Sequence, residues 1–460
     1  MTKFRWVVIL IWSTCLTMAA EAGPPEESSG AVLKRARVKV SESAQRAPNY
    51  ACVETVTRNY FRASRNLPLR GCPSLPYERA AHSRLVSTDR LRLEVTVAER
   101  GEIFSWAAAS RFEDASIDRV VTSGAIGSGI FSGFLDAVFH ASKLTFLRTV
   151  NVGGRNLMEY SFQVAEADSP YRVKLVLAGN DWAKTAFSGT VGIDSESADV
   201  VSLTAQTAEL PPAAGSCRTL TSIDFGKVDV GGFQLVLPKV ARQRFLNRDR
   251  QETENTVTFS GCREYHAEST ITFDDPDQGT KPSTQEKSEL PVVPTDLRFT
   301  LELTTPIDFN SAAAGDSFTA KLAAPLVDAS GKRLAPKGTE VRGRLMRVEF
   351  RVSSADVVLM LKPEIIEIPG APARLIASRD GPGEDDRKQQ HREVLFRRPG
   401  EEDSGGFIFK SAAAGVPRGF RSAWRTLLPA GSVTPTGVTK SDSSKKGPLP
   451  DGPTNLGFKK

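Results

Sequence analysis

Histidine is scarce, with four among 460 residues, and cysteine nearly as scarce, with five. His82, His140, His266 and His391 stand far apart, and neither an H-E-x-x-H nor a G-x-S-x-G pattern occurs. Zinc-protease and serine-hydrolase chemistry therefore lack their usual residues. No C-x-x-C pair exists to give a four-thiolate zinc site its spacing, and no G-x-x-x-x-G-K-[ST] loop is present. Glu364 and Glu367 straddle Ile365-Ile366 in a strand pattern, where alternate exposed acids are commoner than a catalytic pair. Glu159, Asp194 and Asp224 lie beside hairpins and have ordinary turn or surface explanations. The residues point to a protein that is not an enzyme, with no catalytic residues, no metal and no cofactor.

Long apolar runs are equally few. Trp6 to Ala20 follows Lys3 and Arg5 and precedes Ala20-Glu21-Ala22, the small-x-small pattern of a cleavage site, so residues 1–22 read as a secretory signal peptide. The run falls short of the roughly 20 apolar residues of a comfortable span. An uncleaved anchor is the alternative, and Cys15 lacks the aliphatic-small pair that precedes a lipidated cysteine. Cleavage removes Lys3, Arg5 and Glu21, lowering the formal charge from +6 to +5. That weak and scattered basicity argues against nucleic acid as a partner. It leaves peripheral contact with anionic lipid or cell-wall polymer open. Cys52, Cys72, Cys217 and Cys262 remain, an even number in an exported chain, and read as two disulfides in a periplasmic or extracellular protein. Three pairings are open, and proximity favours Cys52 with Cys72 and Cys217 with Cys262.

Long helical patterns are missing too; the dominant period is two. Leu91, Leu93, Val95 and Val97 alternate with polar residues, as on a strand with one buried face. Glu99-Arg100-Gly101 turns the chain into Glu102 to Ala108, and Gly153-Gly154 joins Leu147–Val152 to Leu157–Val164. Arg172–Ala178, Phe187–Ile193, Val200–Leu210, Leu220–Val230, Phe233–Leu237, Val257–Phe259 and Tyr265–Phe273 continue the series, with Gly231-Gly232 as another turn. This predicts a mainly β protein with a large curved antiparallel sheet. Two helices are expected, Pro48 to Tyr60 and Phe131 to His140. Glycines crowd the stretch before the second, Gly124 to Gly133, but their spacing misses G-x-G-x-x-G by one residue and no parallel βαβ unit follows. The stretch reads instead as a flexible connection that lays Phe131, Phe134, Leu135, Val138 and Phe139 over the concave face.

Gly189-Thr190-Val191-Gly192-Ile193-Asp194 followed by Val200-Val201-Ser202-Leu203 is similar to the "G-x-V-x-I-D … V-x-x-L" hairpin of the lipoprotein-carrier (LolA-like, RseB-like) half-barrel superfamily. Ser222 to Val230 and then Phe233 to Pro238 resembles that superfamily's next hairpin. The resemblance covers roughly Arg46 to Asp275. It implies covering helices over a half-barrel whose cavity takes acyl chains of lipids or acylated proteins, or a protein-binding role in the envelope. The five apolar residues named above become the expected ligand-binding set.

The composition changes at Asp275. Residues 276–294 read as a Pro/Asp/Gln/Lys/Ser-rich linker between a half-barrel domain over 41–275 and a small β-barrel or sandwich over 295–377. Within the latter, Asp328, Gly331 and Leu334-Ala335-Pro336-Lys337-Gly338-Thr339 resemble the periplasmic barrel of TrbI-type secretion scaffolds. Only the barrel is implied, since that scaffold's membrane helix and pore insertion are not evident. Residues 378–404 read as a charged solvated loop, and 405–433 as a strand returning to the barrel with Phe407, Phe409, Phe420 and Trp424 as anchors. Residues 434–460 read as a disordered tail. Two functions stay open: an exported protein binding an apolar ligand, and a structural component of an envelope or secretion complex with protein partners. The first needs an apolar cavity of several hundred Å³; the second needs a filled interior and an exposed apolar patch.

Overall fold

The computed structural model describes residues 28–46, 50–62, 72, 83–98, 101–107, 109, 115, 117–121, 125–174, 182–249, 251–264, 290–380, 398 and 400–428. The expected signal peptide, most of the linker, most of the charged loop and the tail lie outside them, as does the expected strand Tyr265–Phe273.

The fold is mainly β. Helix α1 (Ser29–Arg46) leads into β1 (Tyr50–Arg62), β2 (Arg84–Ala98) and β3 (Gly101–Trp106). Two short helices follow, α2 (Ile117–Val120) and α3 (Gly133–Ala141). Strands β4 (Thr145–Val152), β5 (Arg155–Val164), β6 (Arg172–Lys174), β7 (Trp182–Lys184), β8 (Phe187–Asp194), β9 (Val200–Thr207), β10 (Ser216–Val230), β11 (Phe233–Asn247) and β12 (Glu252–Glu264) complete the first unit. Its large sheet is antiparallel in the spatial order β3-β2-β1-β12-β11-β10-β9-β8-β5-β4. Gly153, Gly154, Gly231 and Gly232 all take positive φ in the two hairpin turns where the sequence places them.

The helix expected over Pro48 to Tyr60 is a strand instead. Cys52, Glu54, Val56 and Arg58 are buried and alternate with half-buried neighbours, a period-two pattern that pairing with β2 and β12 makes decisive. The opening helix is α1, which buries Val32, Ala36 and Val40 at a four-residue spacing. On its exposed side Lys39 Nζ lies 2.6 Å from Asp199 Oδ1, and Arg35 donates to the Ser195 and Glu196 carbonyls of the same turn.

The disulfides are Cys52–Cys262 and Cys72–Cys217, not the pairs that proximity in sequence favours. β1 and β12 are neighbours, so Cys52 and Cys262 face each other with Cα atoms 4.0 Å apart. Sheet topology, not chain distance, sets who meets whom. The closed loops span 210 and 145 residues, each worth about 5 kcal/mol on the chain-entropy model.

The second unit comprises β13 (Arg298–Leu303), β14 (Ile307–Asp308), β15 (Ser317–Leu322), β16 (Leu326–Val327), β17 (Arg333–Ala335), β18 (Glu340–Arg351) and β19 (Asp356–Ile368). It continues with β20 (Ala371–Arg374), β21 (Ala377–Arg379), β22 (Gly405–Lys410), β23 (Gly415–Val416) and β24 (Arg421–Thr426). β24 pairs with both β13 and β21, and the Trp424 side chain is wholly buried against Phe407. Glu364 and Glu367 on β19 bond to Arg344 and Arg342 on β18, so both acids are engaged in cross-strand ion pairs.

Each unit has its own apolar core. They join along β2, where Asp89, Thr88 and Ser87 pair with Glu349, Phe350 and Arg351 of β18. Gly315 makes a second joint. It holds φ at +101°, and a Cβ there would overlap the Arg92 carbonyl oxygen and the Trp106 ring, so only glycine lets the two chains approach.

Candidate functional site

The inner face of the large sheet is banded, and the bands follow directly from register. Leu91, Val56, Val257, Ala241, Ile223, Leu203, Val191 and Tyr160 are successive cross-strand partners, all buried, and form an apolar row. Two residues along each of five strands lies a polar row: Asp89, Arg58, Asn255, Gln243 and Thr221, again successive partners and again buried. Side chains two apart on a strand share a face, so both rows line one concavity.

Helix α3 fills the apolar side. Phe134 packs on Tyr171 and Phe187 with ring centroids 5.1 and 5.0 Å away, and Phe131 packs on Phe259 at 5.6 Å. Val138 and Phe139 are buried as well, and Leu135 is half-buried. The sequence thus placed these five residues on one helix and its lead-in, and the structure brings Phe131, Phe134, Val138 and Phe139 into the core. Phe139 alone among them also edges a cleft of about 380 Å³ between α1 and α3, shared with Arg37, Val38, Ser41, Glu42 and His140.

Two side chains hold the glycine segment ahead of α3, Asn255 at its start and Glu102 at its end. The Glu102 carboxylate on β3 accepts hydrogen bonds from the backbone N–H groups of Gly129 (2.7 Å), Ser132 (2.8 Å) and Gly133 (3.2 Å). Converging amides of this kind suit an anion, and here the protein supplies the anion itself. Burial pushes the Glu102 carboxyl above its ordinary value while the backbone bonds pull it back. Glu54 on β1 has no such support: burial, with the Glu102 charge added, raises it to about 8, so it is protonated at neutral pH. Neither acid was singled out by the sequence; the one available signal was an acid at an inward position of an alternating strand, Glu54 between Cys52 and Val56.

The middle of the polar row is short of partners. Both amide atoms of Gln243 and the Asn255 Oδ1 are buried with no hydrogen-bond partner among the described residues, and the buried hydroxyls of Tyr171 and Thr219 have only each other. Asn255 Nδ2 donates to the Ala125 carbonyl at 3.0 Å, tying the glycine segment to the row. Burial raises the Tyr171 phenol to about 12, keeping it a neutral hydroxyl. Each orphan costs on the order of 1 to 3 kcal/mol in a closed protein.

The charged end of the row is fully engaged. Arg58 grips Asp89 through Nε–Oδ1 and Nη2–Oδ2 contacts of 2.7 Å, and the Tyr60 hydroxyl donates to the same carboxylate at 3.3 Å. Arg398 reaches Asp89 and Glu349, and Arg347 donates to Glu401 at 2.7 Å. A cavity of about 170 Å³ lies among these groups, bounded also by Trp106 and Val348. The cluster crosses from β2 to β18 and so ties the two units together. His140 sits beside Asp136 on the exposed side of α3, far from this cluster in the chain, while His82, His266 and His391 lie outside the described residues. Among the described residues no group of His, Cys, Asp and Glu has a metal-holding arrangement.

No protein-family model matches the chain, and no curated protein matches it. Among solved structures, a LolA superfamily protein from Nitrosomonas europaea aligns over 53% of this chain and 96% of its own at 7% identity and a TM-score of 0.26. An outer membrane lipoprotein-sorting protein domain from Vibrio parahaemolyticus aligns over 52% and 95% at 11% identity and 0.26. A DUF1329 family protein from Desulfovibrio piger aligns over 52% and 95% at 9% identity and 0.24. At these values no residue role passes from those proteins to this chain.

Proposed function

We propose that the protein is an exported, non-catalytic binding protein of the cell envelope, and that an apolar ligand, a lipid or lipoprotein acyl chain, lies on the inner face of the sheet in place of α3. The observation that carries this reading is the plug itself: a nine-residue helix of buried aromatics, preceded by glycines and fastened through one carboxylate. Exchange is energetically feasible. Burying four large apolar side chains stabilises by about 6 to 12 kcal/mol, and a chain of twelve methylenes gains about 10 kcal/mol on the same surface. Two disulfides fit an oxidising compartment, and among the described residues no helix is long and apolar enough to cross a membrane.

The test is to purify the disulfide-intact protein and extract it for lipid mass spectrometry. A lipid in stoichiometric amount that persists or increases in Leu135→Glu, where the new charge weakens the competing helix, supports the reading. A protein that purifies free of lipid and takes up no added acyl compound contradicts it.

A second reading meets both of its requirements, an interior that α3 fills and an exposed apolar patch. Among the described residues β4 pairs only with β5, and it exposes Phe146, Leu147 and Val152 at 42, 51 and 53%. An open apolar edge of this kind is where a protein partner adds a strand. An envelope scaffold would use it, and Leu147→Lys would then abolish partner capture without touching lipid content.

A further inference from the structure

Resting on the ligand-binding reading above, we infer that the middle of the polar row is a head-group site, and that the ligand is an amphiphile whose head is neutral and hydrogen-bonding, an ester with hydroxyls or an amide, rather than a carboxylate.

Three observations converge on this. Gln243 is 0% exposed, and its amide has an unpartnered donor and an unpartnered acceptor pointing into the same concavity as the apolar row. The Tyr171 and Thr219 hydroxyls face each other beside it, and Asn255 adds an unpartnered carbonyl oxygen, so the site offers donors and acceptors together. The apolar row runs directly alongside, one side-chain step along each of those five strands, which is the layout of an amphiphile lying flat with its chain on one band and its head on the next.

Charge decides the class of head. The cation nearest in the row, Arg58, already spends a two-point grip on Asp89, and the Tyr60 hydroxyl donates to the same carboxylate. A ligand carboxylate placed beside Gln243 would be desolvated without a counter-ion. A glyceryl or amide head instead matches the neutral groups present. The glycine segment controls access. Gly127 lies on Gln243 so closely that a Cβ would sit 2.6 Å from its Nε2 and 3.0 Å from the Tyr171 hydroxyl. Movement of α3 and its glycine lead-in therefore uncovers the apolar band and the head-group site in one motion.

Two twelve-carbon probes at pH 8 test this, 1-monolauroylglycerol and laurate, measured by calorimetric titration against wild type, Gln243→Leu and Tyr171→Phe. Wild type is expected to prefer the monoglyceride by at least roughly tenfold, because a site built to hydrogen-bond a polar head discriminates strongly against one it cannot pair. Gln243→Leu is expected to lose most of that preference while still binding laurate and keeping an unchanged or higher Tm, since it removes two orphans. Tyr171→Phe should lose part of it. If wild type binds the two probes equally, or if Gln243→Leu retains the preference, the head-group site is overturned while the apolar reading stands. If neither probe binds wild type, the apolar reading itself falls and takes the head-group site with it.

Discussion

Single residues carry two sharp consequences. Glu54 has its carboxyl raised from 4.5 to about 8 in the folded protein. The folded state therefore binds a proton that the unfolded state releases, so this residue's contribution is complete below about pH 4.5 and is lost as pH rises through about 8. The loss is on the order of 4 kcal/mol, and Glu54→Gln should flatten it; urea midpoints at pH 5 and pH 9 measure both. Gly315 is the second. Its +101° φ and the overlap that any Cβ would make with Arg92 and Trp106 predict that Gly315→Ala costs about 3 kcal/mol or more, read as a lowered urea midpoint. Neither effect is legible in sequence. A glycine or an acid announces no neighbour, and both cases depend on residues brought close by pairing between distant strands. Gln243, Asn255 and Arg58 escaped notice for the same reason: each looks like an ordinary polar position until the register sets all three in one buried row.

Elements were legible where period and turn chemistry agree. The alternation of Leu91 to Val97, the two Gly-Gly hairpins and the apolar helix after the glycines all appear as read. The helix expected at Pro48 to Tyr60 fails because its Cys, Val and Thr residues favour strands and two neighbouring strands complete the pairing. α1 escaped because its three buried small and branched residues, Val32, Ala36 and Val40, sit among many cations and give a weak stripe. For α3 the fastening by Glu102 makes a prediction. Glu102→Ala strips the acceptor from three backbone N–H groups. Amide exchange over 129–141 should then accelerate by roughly tenfold to a hundredfold while β10 and β11 keep their protection, as expected for the loss of about 1.5 to 3 kcal/mol of local charge-assisted bonding. Unchanged exchange in that segment would mean that packing of Phe134 and Val138 alone holds the helix.

The whole molecule is two apolar cores bridged by a charged seam, with each disulfide closing a long loop in the first. Arg58→Met leaves Asp89 buried without its two-point partner and should destabilise the protein by about 3 to 5 kcal/mol, seen as a fall in Tm with both units affected because Asp89 also binds Arg398 and pairs with Glu349. The cysteine number read correctly as two disulfides, yet their connectivity and the seam depend on a topology that no local pattern encodes. If the proposed function holds, ligand and α3 compete for one surface. Hydrogen exchange across α3, with and without saturating 1-monolauroylglycerol, measures that competition. Displacement predicts that amides over 133–141 lose protection when ligand is added while the strands beneath gain or keep it. Protection of α3 that stays constant or rises on ligand addition would contradict the account, because the ligand would then be binding outside the helix, as in the cleft between α1 and α3.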